Sequence, residues 1–261
     1  MSTGLAISGC GGGSSSLPNS VVASQLTVAA ASDLRPAFEE LGQLYTAKTG
    51  VKVTFTFGSS GQLRQQIVNG APYDLFASAS SEYVDEIIRV GRGIASTEAE
   101  YALGRIVLWS PAGVELPTQV GELVDPTYAR IAIANPDHAP YGAAAKEALL
   151  SAGIYEGVKD RLVFGESISD TFEIAKSANA DVGIIALSLA IASGTEYTLI
   201  PPSLYTPLRQ TLVVTSVGTQ GDAAQAFAAL VASAEGRRVM VRYGFALPGE
   251  SLPGPDATAA G

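Results

Sequence analysis

Val28-Ala29-Ala30-Ala31-Ser32-Asp33-Leu34-Arg35-Pro36 is an apolar run that stops at a Ser-Asp pair and turns at once into a helical pattern with Pro36 in its first turn. A strand that feeds a helix through serine leaves several amide donors and a hydroxyl pointing into one small volume. That volume lies at the positive end of the helix dipole. The design recurs at Thr54-Phe55-Thr56-Phe57-Gly58-Ser59-Ser60-Gly61-Gln62-Leu63, again a strand, a small hydroxylated turn and a helix. Two such turns facing each other make an anion cradle built from neutral donors.

Working outward, Gln25 to Ala31 reads as a first strand and 34–48 as a helix with Leu34, Phe38, Leu41, Leu44 and Tyr45 on one stripe. Val51-Lys52-Val53-Thr54-Phe55-Thr56-Phe57 alternates and reads as a strand, followed by a short helix over 61–69. Asp74-Leu75-Phe76-Ala77-Ser78 is a third strand, and Ser81-Glu82 opens another helix. After the strand Arg105-Ile106-Val107-Leu108-Trp109 a second set begins. Its strands are at 131–134, 162–164 and 181–186, with helices over 141–152, 170–177 and 187–193. A proline-marked crossover at 201–207 leads to the strand at 210–215 and helices over 222–234 and 235–243. This alternation predicts two α/β lobes, each a mostly parallel sheet flanked by helices, joined by two hinge crossovers. The first lobe takes 25–104 and 207–250 and the second 105–206, with a disordered Pro/Ala/Gly tail over 251–261. Ligands of such sheets sit beyond the carboxyl ends of the strands, where both serine turns fall.

The 261 residues carry a net charge of −9 and no basic cluster, which argues against nucleic acid. It does not argue against a small anion, because a buried site is governed by the donors within a few ångströms. No apolar run approaches the roughly 18–20 residues of a membrane span. The single histidine, His138, has no Gly-x-Ser-x-Gly elbow beside it, so a hydrolase reading lacks its parts. Tyr205 and Tyr243 do not form the tyrosine cluster a ferric-ion site needs, and residues 25–250 leave no room for a DNA-binding helix-turn-helix.

The single cysteine, Cys10, excludes an internal disulfide and a zinc cluster. Ile7-Ser8-Gly9-Cys10 resembles the lipobox of bacterial lipoproteins, which implies lipidation of Cys10 and a flexible tether at Gly11-Gly12-Gly13-Ser14-Ser15-Ser16. Residues 1–24 are then a signal remnant and tether. Only nine residues precede Cys10, with no basic n-region, so the reading carries the expectation of a start further upstream. The alternative is a disordered N-terminus with a free thiol.

Ala29-Ala30-Ala31-Ser32, Phe57-Gly58-Ser59-Ser60-Gly61-Gln62-Leu63, Gln66-Ile67, Gly70-Ala71-Pro72-Tyr73-Asp74-Leu75-Phe76-Ala77-Ser78-Ala79, Asn135-Pro136-Asp137-His138-Ala139-Pro140-Tyr141-Gly142 and Ala145-Lys146-Glu147-Ala148-Leu149 occur in this order. Together they resemble the molybdate-binding proteins of bacterial ABC importers, over about residues 26–250. The resemblance implies a type II periplasmic binding-protein fold and a periplasmic or other extracytoplasmic location, with a lipid anchor as the sole membrane attachment. It also implies a monomer that captures molybdate or tungstate, needs no cofactor and delivers its anion to a membrane permease. The alternative in the same class is a binder of a smaller tetrahedral oxyanion, sulfate or phosphate.

Carried over by motif, the oxyanion contacts are the hydroxyl and amide of Ser32, the amide of Asp33, the hydroxyl and amide of Ser60, and the amides of Tyr141 and Ile168. All touch the oxygens; none is a direct ligand of the metal atom. Many members place a tyrosine hydroxyl where this chain has Ala186. The Tyr141 phenol is expected to supply the lost contact. Ser59 reads as a cap, His138 as structural, and the Asp33 carboxylate as turned to solvent near the helix N-terminus. Phe38, Tyr45, Phe55 and Phe57 read as core.

Overall fold

The carboxyl ends of three parallel strands define one side of the molecule's cleft. The computed structural model describes Met1 and residues 25–250; Cys10, the tether and the 251–261 tail lie outside the described residues. β1 (Gln25–Ala31) passes through a 3-10 turn at Ser32–Leu34 into α1 (Arg35–Thr49). Gly50 ends α1 at φ 74°, a left-handed conformation that lets its amide close on the Thr46 carbonyl. β2 (Lys52–Gly58), α2 (Ser60–Val68), β3 (Leu75–Ser78), α3 (Ser81–Arg89) and β4 (Ala99–Gly104) follow.

The second lobe contains β5 (Ile106–Trp109), β6 (Ile131–Ala134), α4 (Pro140–Ser151), α5 (Tyr155–Val158), β7 (Leu162–Gly165), α6 (Ile168–Lys176), β8 (Val182–Ala186), α7 (Leu187–Ser193) and β9 (Thr198–Leu199). The chain then returns through β10 (Leu208–Val214) to α8 (Gly221–Ala232) and α9 (Ala234–Arg242) on the first lobe.

The sheet orders are β2-β1-β3-β10-β4 and β7-β6-β8-β5-β9. Each is mixed: a parallel trio is extended by two strands joined through antiparallel pairings. Two of those added strands, β4 and β9, have no counterpart in the sequence reading. Register aligns the functional edge. Ala31 pairs with Gly58 and Ala30 with Ala77, so the turns after β1, β2 and β3 emerge side by side. On the second lobe Ala134 pairs with Gly165, which aligns the turns leading into α4 and α6.

Aromatic rings lock each lobe internally. Phe38 of α1 meets Phe227 of α8 edge-on at 5.8 Å, and Tyr45 meets the same ring at 5.5 Å. In the second lobe Trp109 packs edge-on against Phe172 at 5.1 Å and donates its indole N–H to Thr195 Oγ1. Asp74, buried beneath β1, accepts from Thr27 N and Oγ1 and from Thr219 N and Gln220 N. It ties β1 to the start of α8. Among the described residues no helix is long and apolar enough to cross a membrane.

Candidate functional site

All five residues singled out from the sequence, Ser32, Asp33, Ser60, Tyr141 and Ile168, line one small pocket between the lobes, with a cavity volume of about 10 Å³. That is far below the ~300 Å³ at which pockets for organic ligands begin, and close to the ~10–15 Å³ that holds a single water. It leaves no room for an organic ligand. No Lys or Arg lines it. Among the described residues no cluster of three or more His, Cys, Asp or Glu offers a metal centre.

The donors come from chain segments that have just turned into helices. Ser60 and Ile168 are the first residues of α2 and α6, and Tyr141 is the second of α4, after Pro140. Amides in a first turn have no acceptor within their own helix, and the helix dipole adds positive potential there. Ser59 and Ser167 cap α2 and α6 through their side chains, accepting from Gln62 N and Asp170 N at 3.3 and 3.2 Å. The caps spare the residues that follow them.

Both site hydroxyls are pre-oriented. Ser60 Oγ accepts from Ala79 N at 3.0 Å, and Ser32 Oγ accepts from Ser169 N, across the cleft, at 3.2 Å. A hydroxyl has one proton and two acceptor sites. With an N–H already on the oxygen, each serine is held to donate its proton elsewhere. The second lobe also grips the backbone of this turn: Ser169 Oγ donates to Ser32 O at 3.0 Å, and Ser188 Oγ to Asp33 O at 2.7 Å.

Two expectations are corrected. The Asp33 side chain is not turned to solvent; it is fully buried. The strand behind it supplies Gln210, whose Nε2 donates to Asp33 Oδ2 at 2.8 Å. Nor does the Tyr141 phenol serve as a spare anion donor. It is 2% exposed, and its single proton goes to the same Asp33 oxygen at 2.9 Å. Burial pushes the Asp33 carboxyl up to about 7, opposed by the hydrogen bonds from Tyr141 and Gln210. Tyr141 and Tyr101 are raised well above the phenol range, first by burial and then by the Asp33 charge. Asp33 Oδ1 meets no donor.

Gln210, Ser169 and Ser188 are therefore part of the site's frame, and the sequence reading missed them. A signal existed for Gln210, a lone amide inside the apolar strand Gln210-Thr211-Leu212-Val213-Val214. His138, read as structural, sits at the lobe seam beside Ser59.

Fold and site define a two-lobed solute-binding protein whose cleft is built from neutral donors. The chain belongs to the family of bacterial extracellular solute-binding proteins, whose model matches residues 26–246. It is 36% identical over 226 residues to the molybdate-binding protein ModA of Rhodobacter capsulatus, covering 85% of this chain and 88% of that protein. Identity to ModA of Azotobacter vinelandii is 32% over 230 residues, covering 86% and 91%. The solved structure of the periplasmic molybdate-binding protein of Azotobacter vinelandii superposes with a TM-score of 0.80 at 29% identity, covering 85% of this chain and 99% of that one. The sulfate-binding protein SubI of Mycobacterium tuberculosis H37Rv shares the fold, at a TM-score of 0.73 and 17% identity over 87% and 88% of the two chains.

Proposed function

We propose that this protein captures molybdate or tungstate outside the cytoplasm and delivers it to the permease of an ABC importer. The observation that carries the reading is the convergence of Ser32, Ser60, Tyr141 and Ile168 on one small pocket with no cation in its lining. A dianion stripped of water needs several strong donors, and hydrogen bonds to an ionised acceptor are about twice as strong as neutral ones. Oriented amides and hydroxyls supply them without burying a lysine or arginine. The molybdate-binding relatives named above support the choice of anion.

In this reading the open protein loads the anion on Ser32 and Ser60, with the Asp33 amide beside them. Closure about the crossovers at 104–106 and 199–208 brings the Tyr141 and Ile168 amides onto it and excludes water. All contacts are to the oxyanion oxygens, and no resident cofactor takes part. The chain acts as a monomer, and Cys10 carries a lipid anchor; mass measurement of native protein tests the anchor.

Calorimetry of the purified chain against molybdate, tungstate, sulfate and phosphate tests the function. Molybdate and tungstate are expected to bind tightest. Equal or tighter sulfate binding transfers the site to the smaller oxyanions, and no binding by any of the four overturns the reading.

A further inference from the structure

Beside Ser60 the two lobes meet backbone to backbone. The Gly61 N–H donates to the His138 carbonyl at 3.0 Å. The His138 ring bridges Ser59 Oγ, 2.8 Å from Nδ1, and Glu166 Oε2, 3.5 Å from Nε2. Gln62 Nε2 donates to the same Glu166 oxygen at 2.8 Å. Ser59, Gly61 and Gln62 belong to the first lobe, His138 and Glu166 to the second. Of these residues only Ser59 reaches the pocket lining.

Gly61 is the second residue of α2, where glycine is disfavoured against alanine by up to about 1 kcal/mol. The approach of the other lobe explains it. A Cβ at Gly61 would stand 2.5 Å from the His138 carbonyl oxygen and 3.0 Å from its Cα. Both are backbone atoms, so no side-chain rotation relieves the clash. With the lobes apart, the same methyl group meets nothing of the second lobe.

We propose that Gly61, His138 and Glu166 form a closure clasp: positioning residues that hold the second lobe on the first and set how long the oxyanion stays bound, without touching it. The inference rests on the oxyanion reading of the neighbouring pocket. Affinity scales with the population of the closed form, and loss of closed-state contacts is read in the release rate.

The test is Gly61→Ala, with Gly221→Ala as control, since a Cβ at Gly221 meets open space at another helix start. Binding is read by calorimetry with molybdate, rates by stopped-flow tryptophan fluorescence, and compaction by small-angle scattering. Gly61→Ala is expected to bind about tenfold or more weakly, with the loss in release and association changed by less than about twofold. It should fail to compact with anion, while its melting temperature without anion equals or exceeds that of the wild type. A merely structural role would lower that temperature instead. His138→Ala keeps the backbone carbonyl and loses the ring bridge, and should release anion several-fold faster. Wild-type affinity, release and compaction in both variants overturn the clasp, as does a loss explained by lowered stability. A wild-type chain that binds no oxyanion overturns the functional reading and the clasp with it.

Discussion

The Tyr141 hydroxyl of the second lobe donates to Asp33 Oδ2 of the first at 2.9 Å, in a fully buried contact. The bond joins residues of different lobes, so it contributes to holding the lobes together. Removing it with Tyr141→Phe leaves the carboxyl with Gln210 as its remaining side-chain donor. Hydrogen bonds to charged groups contribute about 1.5–3 kcal/mol, so molybdate affinity should fall roughly tenfold or more. In the double variant with Asp33→Asn the losses should not add, because both changes cut one bond. Additive losses in calorimetry would show that the phenol acts elsewhere.

Asp33 also makes a prediction for pH. Its carboxyl is held at about 7 in the folded chain against an ordinary value of 3.8, chiefly by burial. Below the ordinary carboxylate range both states are protonated and the group has no effect. As pH rises toward about 7, the unfolded chain releases the proton while the folded chain keeps it. Stability therefore falls across this window and levels above it. Asp33→Asn should remove this slope, and its advantage over wild type should grow with pH and then plateau. Denaturant melts between pH 4.5 and 8.5 read this directly; parallel wild-type and variant curves would contradict it.

The two site serines should separate in their secondary effects. In the proposed reading Ser32→Ala and Ser60→Ala each remove one donor to the anion, with an expected loss of about tenfold to a hundredfold in affinity. Ser60→Ala additionally strands the Ala79 amide inside the first lobe, so it should lower stability without anion. Ser32→Ala strands the Ser169 amide across the cleft, so its cost appears when the lobes meet. Melting curves with and without molybdate distinguish the two patterns.

Asp74 should behave as a purely structural residue. Asp74→Ala abandons four donors that join β1 to the start of α8, and should cost several kcal/mol of stability. At a temperature where the variant is folded, its molybdate affinity should stay within about twofold of wild type, since the residue lies away from the pocket lining. A large affinity loss in folded protein would refute this division.

Much of the fold was legible because its parallel strands carry their own local signals. β1 and β3 are short apolar runs that end in small polar turns, and β2 alternates. β4 escaped because Ala99-Glu100-Tyr101-Ala102-Leu103-Gly104 has no clean period, and its pairing with β10 shifts register at Gln210/Thr211. β9 is two residues long and is defined by its partner β5. The serine turns were legible for the same local reason, since a cap and a helix start are written within a few residues. The environment of Asp33 was not. A carboxylate is normally solvated, and what buries this one is Tyr141 and Gln210, 108 and 177 residues further along the chain.

Leu208 is paired with Gly104, so the outgoing and returning connections between the lobes leave from adjacent antiparallel strands. Two straps anchored side by side share a single pivot, which restricts the second lobe to swinging and resists sliding or unwinding. In the proposed reading, the empty and laden molecules would then differ by one angular coordinate. On that reading a permease would need to sense only that angle at the outer rims, without inspecting the cargo.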